Sequence, residues 1–116
     1  MATALNVFKT VTADLTTEER LLYTAPTRKT SIFLSVQATN ITNTTTQVSF
    51  YHGSTNATGN VKTAMAKNFK IPAGDSMAVI SAGAKLVLET GQKVYSSASA
   101  NNTVQLVMSV LESAND

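Results

Sequence analysis

Along most of this chain apolar and polar side chains alternate with a period of two, the spacing that turns one face of a strand to a core and the other to water. Ile32, Leu34, Val36 and Ala38 alternate with Ser31, Phe33, Ser35, Gln37 and Thr39, and the first set is expected to face inward. Near the C-terminus Val104, Leu106, Met108 and Val110 form the apolar set against Thr103, Gln105 and Ser109, with Val107 an apolar exception. The same reading predicts strands near 4–12, 20–25, 46–52, 61–70, 76–81, 85–89 and 92–99. About eight or nine short strands at this spacing imply an all-β chain, a single antiparallel β-sandwich of jelly-roll or Ig-like topology.

Turn chemistry falls where those strands must end. Asn40 to Thr46 is a Thr- and Asn-rich tract, and Gly53 to Asn60 holds two glycines among small residues, so both read as loops. Pro72-Ala73-Gly74-Asp75 has the order a tight turn favours, and Thr90-Gly91 separates two apolar runs closely enough for a hairpin. Thr16 and Glu19 have capping-box spacing, making Thr16–Leu22 the one candidate helix, about a turn long before Tyr23-Thr24-Ala25-Pro26 interrupts it. The chain reads as one domain, with residues 1–29 as an N-terminal arm and first strands that reach a neighbouring subunit, and 30–116 as the sandwich core. Open sheet edges suit such a domain to assembly.

Composition narrows the chemistry. The 116 residues hold no Cys, no Trp and one His, and only 14% are charged, while Thr, Ser and Asn supply about a third. Without Cys there is neither a disulfide framework nor a thiolate metal site. The net charge of +2 comes from scattered basic residues, only Arg28-Lys29 being adjacent, which argues against nucleic acid as a partner. Apolar runs such as Met77-Ala78-Val79-Ile80 are far shorter than the roughly 18 residues of a membrane-spanning helix, so no membrane partner is expected. The N-terminus lacks the pattern of a signal peptide.

No catalytic constellation emerges, and neither a cofactor nor a metal is expected. His52 has no acidic residue near it in sequence, and Asp14, Glu18, Glu19, Asp75, Glu89, Glu112 and Asp116 read as solvated charges in turns or near termini, with Asp75 placed to organise its turn. Gly53 and Gly59 lack the Lys-Ser/Thr of a phosphate-binding loop. Asn40, Asn43, Asn56 and Asn101 each begin an Asn-x-Thr triplet, read as chance matches in an Asn- and Thr-rich chain. Tyr23, Tyr51 and Tyr95 are the residues a glycan-stacking platform would use, although each lies in a strand where packing is the ordinary role.

Several phrases resemble small virion structural proteins of tailed bacteriophages. They are Ile71-Pro72-Ala73-Gly74-Asp75-Ser76, Lys85-Leu86-Val87-Leu88-Glu89-Thr90-Gly91-Gln92, Ser97-Ala98-Ser99-Ala100 and Val107-Met108-Ser109-Val110-Leu111-Glu112, preceded by Thr30 to Asn40 and Val48-Ser49-Phe50-Tyr51. The likeness covers about residues 30–112 and departs at Gln92, a position where the family often has Asp, a change that matters only if that acid forms a turn contact. The resemblance implies a non-enzymatic capsid decoration or cement protein in the virion, assembled in the host cytoplasm. Its implied partners are the major capsid protein and further copies of itself, three by expectation. A neck-, tail- or fibre-associated subunit is the alternative.

Overall fold

Period-two alternation becomes nine strands in the computed structural model, which describes residues 6–56, 59–80 and 85–114. In chain order they are β1 (Asn6–Asp14), β2 (Arg20–Thr24), β3 (Lys29–Asn40), β4 (Thr46–Asn56), β5 (Gly59–Ile71), β6 (Ser76–Ile80), β7 (Leu86–Leu88), β8 (Lys93–Ala98) and β9 (Val104–Ala114). They form two antiparallel sheets packed as a sandwich: sheet A in the order β1-β9-β3-β6, with β7 also on β3, and sheet B in the order β2-β8-β4-β5. The chain crosses between sheets at almost every connection, and β4–β5 is the one hairpin between consecutive strands among the described residues. A five-stranded and a four-stranded sheet, with β6 and β7 sharing one edge of β3 so that each sheet is four strands wide, make a jelly roll, which decides between the two topologies the alternation allowed.

Apolar inward rows meet between the sheets. Val104, Leu106, Met108 and Val110 of β9 are buried as their alternation predicts, and Val107 lies outside, 47% exposed. Against them sheet B sets Val48, Phe50 and Val94, all fully buried. Leu15 and Ala25 from the connections flanking β2 close the core, and β1 and β2 add one edge strand to each sheet.

The expected inward set of β3 is only half right. In its pairing with β9, Phe33 faces Val110 and Ser35 faces Ser109, leaving Leu34 as an extra residue. Such a bulge flips every side chain beyond it to the other face. Ser31 and Phe33 therefore point inward before it, and Val36, Ala38 and Asn40 after it, while Ile32 and Leu34 are only partly buried. The Phe33 ring meets Tyr23 edge-on, with centroids 5.3 Å apart.

Three local expectations also change. Thr16 to Leu22 forms no helix: Thr16 Oγ1 takes the Glu18 N–H at 3.3 Å in a local turn, and Glu19 pairs instead with Lys62. Thr90-Gly91 turns the chain from sheet A to sheet B rather than making a hairpin, with the Gln92 N–H on Glu89 O at 2.9 Å and Gly91 at φ +84°. Gly53 to Asn56 and Gly59-Asn60 continue β4 and β5 instead of forming a loop. Gly53 belongs in a strand because the Tyr95 ring lies against its backbone, and a Cβ there would sit 2.5 Å from Tyr95 Cε1. Gly53→Ala is expected to cost about 1–3 kcal/mol by overpacking, and adding Tyr95→Ala should remove most of that penalty. Urea unfolding of the three proteins checks this, and a Gly53→Ala variant as stable as the parent would contradict it.

Candidate functional site

The residues singled out as possible chemistry are not brought together. His52 Nε2 faces Gln92 Oε1 at 3.3 Å, and the same oxygen accepts the Glu89 N–H at 2.9 Å. Gln92 thus makes a turn contact of its own. Asp75 organises its turn, its N–H reaching Pro72 O at 3.0 Å and its Oδ1 accepting the Ser76 N–H at 2.8 Å. Asn40, far from being a surface acceptor, is fully buried. Its amide nitrogen donates to Thr44 O and Ile71 O at 2.7 and 2.9 Å, and its oxygen accepts from the Thr42 N–H and hydroxyl.

The tyrosines divide between the two sides of sheet B. Tyr23 turns into the sandwich, whereas Tyr51 and Tyr95 are opposite one another on its outer face. Lys62 Nζ stands 4.6 Å from the Tyr95 ring centroid and 3.3 Å from Glu19 Oε2, so a cation already occupies the ring face a sugar would stack on.

One polar cluster was not legible as such. Glu112 continues the inward parity of β9 and is 1% exposed. Tyr23 of sheet B donates its hydroxyl to Glu112 Oε2 of sheet A, and that hydroxyl also lies 2.8 Å from Ser31 Oγ. Lys9 Nζ at 3.0 Å and Lys29 Nζ at 3.8 Å reach Glu112 Oε1 from β1 and the start of β3 as ion-pair partners, neither in hydrogen-bond alignment. The signal in the sequence was an acid at the fifth inward position of the most regular strand. Its solvated reading is corrected here: Glu112 is a buried, paired carboxylate.

Burial by itself raises the Glu112 carboxyl, but the Tyr23 hydrogen bond and then the Lys9 and Lys29 ammonium groups outweigh it, and the group is held below its ordinary value. Burial, reinforced by the bond to Glu112, pushes Tyr23 up to about 12. Ser31 and Glu112 are closed to solvent, and the cluster ties β2 to β3 and β9 across the sandwich. Among the described residues no group of His, Asp and Glu is arranged to hold a metal ion.

Charge is divided by sheet. The strands of sheet B carry Arg20, Lys62, Lys67, Lys70 and Lys93 and no acid, whereas those of sheet A carry Lys9 and Lys29, both paired with Glu112, and Asp14, so the two charges of each sign balance. Lys62, Lys70 and Lys93 share register positions with the outward residues Gly53 and Gln47, so the outer face of sheet B is basic.

No protein-family model and no curated protein matches this chain. Its fold recurs in solved structures. It is similar to a chain of the T13 IBDV viral particle, with TM-score 0.53 and 13% identity over 96% of this chain and 31% of that one. It is likewise similar to a chain of the infectious bursal disease virus Gx strain, with TM-score 0.53 and 12% identity over 92% of this chain and 32% of that one. This chain thus spans about a third of the length of the virus chains. A subunit of Bacillus endospore appendages, described as a novel family of disulfide-linked pili, matches over 100% of this chain and 97% of its own, with TM-score 0.54 and 13% identity. What is shared at these identities is the jelly roll.

The Glu112 cluster makes a pH-dependent contribution to stability. A carboxyl held low by its folded surroundings stabilises fully above its unfolded value and loses that contribution as pH falls through the folded one. The stability difference between the parent and Glu112→Gln should therefore be full above the ordinary value of 4.5 and shrink as pH drops below it. Denaturant titrations at a series of pH values measure this, and a difference that ignores pH would refute it. Tyr23→Phe, which leaves Glu112 Oε2 without its donor, should cost about 1–3 kcal/mol at neutral pH.

Proposed function

We propose that this chain is a non-enzymatic virion structural subunit, a capsid decoration or cement protein of a tailed bacteriophage that bridges major capsid subunits. The observation that carries the reading is the jelly roll, spanning nearly the whole chain and shared with chains of a viral particle, combined with the resemblance of residues 30–112. Support also comes from the residue chemistry: the Glu112 carboxylate is buried, and His52, Tyr23 and Tyr95 make structural contacts. Its mechanism is mechanical. Contacts made only in the assembled shell stabilise that state by mass action, and several weak patches engaged together hold more firmly than one. The basic outer face of sheet B suits an acidic surface on the capsid protein.

A second reading, a fibre- or tail-associated subunit, is favoured by the end-to-end match with the endospore appendage subunit. That subunit is described as forming disulfide-linked pili, whereas this chain has no Cys, so an assembly of it would be non-covalent.

Particles produced with and without the protein separate the readings. A cement protein is expected at many tens to hundreds of copies per particle, and its removal should lower the temperature at which the shell releases its genome. A dozen copies or fewer, with shell stability unchanged, would overturn the cement reading in favour of the second. Rebinding to depleted shells should weaken as salt rises from about 0.05 to 0.5 M, because exposed charge pairs are screened over that range.

A further inference from the structure

Sheet A has an outer face unlike that of sheet B. Strand register places Phe8 opposite Leu111, Leu111 opposite Ile32 and Ile32 opposite Val87, so four apolar side chains cross β1, β9, β3 and β7 in one row. Phe8 is 73% and Val87 50% exposed, with Leu111 and Ile32 partly buried between them. The Leu34 bulge adds a further apolar side chain beside the row, and Val107 is exposed further along β9. Around these residues the face is Thr, Ser, Asn and Gln. Of the described strand residues on it only Asp14, at one corner, is ionisable. A contiguous exposed apolar patch on a small domain marks an interaction surface.

We infer that the outer face of sheet A is a self-association surface, occupied by the same face of a second copy of this chain. Two properties select that occupant. The first is charge: a face whose described strand residues include no cation, with Lys85 only at its rim beside β7, can meet its own image with little repulsion, whereas the lysine-lined outer face of sheet B cannot. The second is area. With about 3.3 Å per residue the 11 residues of β9 span about 36 Å. Four strands at about 4.8 Å add a width of about 19 Å. The resulting face of about 700 Å² per copy is close to the roughly 800 Å² per partner of a stable interface. A two-fold axis in the plane of the face, parallel to the strands, lays the row on its own image, with Phe8 over Val87 of the second copy and Leu111 over its Ile32. A contact of this kind is isologous, so it makes pairs and does not close a ring of three. It stands independently of where on a particle the protein sits.

Sedimentation velocity on the purified full chain tests this at about 0.15 M salt over a hundredfold range of concentration. The expected species is a dimer of twice 12.3 kDa. Phe8→Asp and Val87→Asp each change the interface twice, through the symmetry, and should each raise the dissociation constant at least tenfold. Lys67→Glu and Lys70→Glu, on sheet B, should leave the dimer intact. Both apolar targets are well exposed, so circular dichroism should show folded variants; if Phe8→Asp fails to fold, Phe8→Ser provides the same reading. A parent that stays monomeric throughout would overturn the inference, as would a trimer or a dimer indifferent to changes at Phe8 and Val87.

Discussion

Everything in this molecule hangs on the burial of β9. It lies between β1 and β3 at the centre of sheet A, and four of its side chains, Val104, Leu106, Met108 and Val110, are withdrawn from water against sheet B. Each such side chain contributes about 1.5–3 kcal/mol when fully buried. With no Cys available for a disulfide, that apolar seam has to hold the two sheets together largely by itself. The jelly-roll winding follows from the same demand. Because almost every connection crosses between sheets, no strand leaves its partner layer without the chain immediately covering it.

At one end of the seam the apolar row gives way to Glu112, and the change from hydrophobic to ionic bonding is informative. A carboxylate buried without partners would be strongly destabilising, and even a paired one is weak evidence for stability. Its effect here is on arrangement. Tyr23 and Ser31 accept no substitute geometry from an apolar residue, and Lys9 and Lys29 approach from two different strands. The cluster therefore fixes how β1 and β3 register on β9 and how β2 sits across from them, much as Asn40 fixes the loops at the opposite end through contacts to Thr44 and Ile71. Hydrophobic burial supplies the cohesion and these two polar groups supply uniqueness.

How much of this was readable beforehand depended on whether the signal was periodic. All nine strands follow from alternation and turn residues, because a half-buried strand alternates and most of the turns here use Gly, Pro or Asn. What escaped was set by single residues acting over long sequence distances. Leu34 is an ordinary strand residue until β9 pairs with one fewer residue beside it, and then half of β3 faces the other way. Gly53 looks like loop punctuation because the ring that needs its bare backbone, Tyr95, lies forty-two positions later. Thr90-Gly91 has the composition of a hairpin, and only the assignment of β7 to sheet A and β8 to sheet B shows that it joins layers. The surface row Phe8, Leu111, Ile32 and Val87 is drawn from four distant segments, so no local window contains it.

The sparse charge of the chain acquires a meaning from this topology. A net +2 spread over the sequence looks like a weak, featureless field. Yet a jelly roll deals most successive strands alternately to its two layers, and here that dealing sends Arg20, Lys62, Lys67, Lys70 and Lys93 to sheet B while both lysines of sheet A turn inward to pair with Glu112. One domain thus has two chemically distinct outer faces, one basic and one nearly uncharged. Fields of single sign discriminate against like-charged surfaces, and neutral apolar faces do not. A subunit that must contact both its own copies and a different protein needs such a distinction, because otherwise each surface would compete for the other's partner. Placing the lysines on one sheet makes that separation without any site of special chemistry, which is consistent with a chain whose reactive side chains are so few.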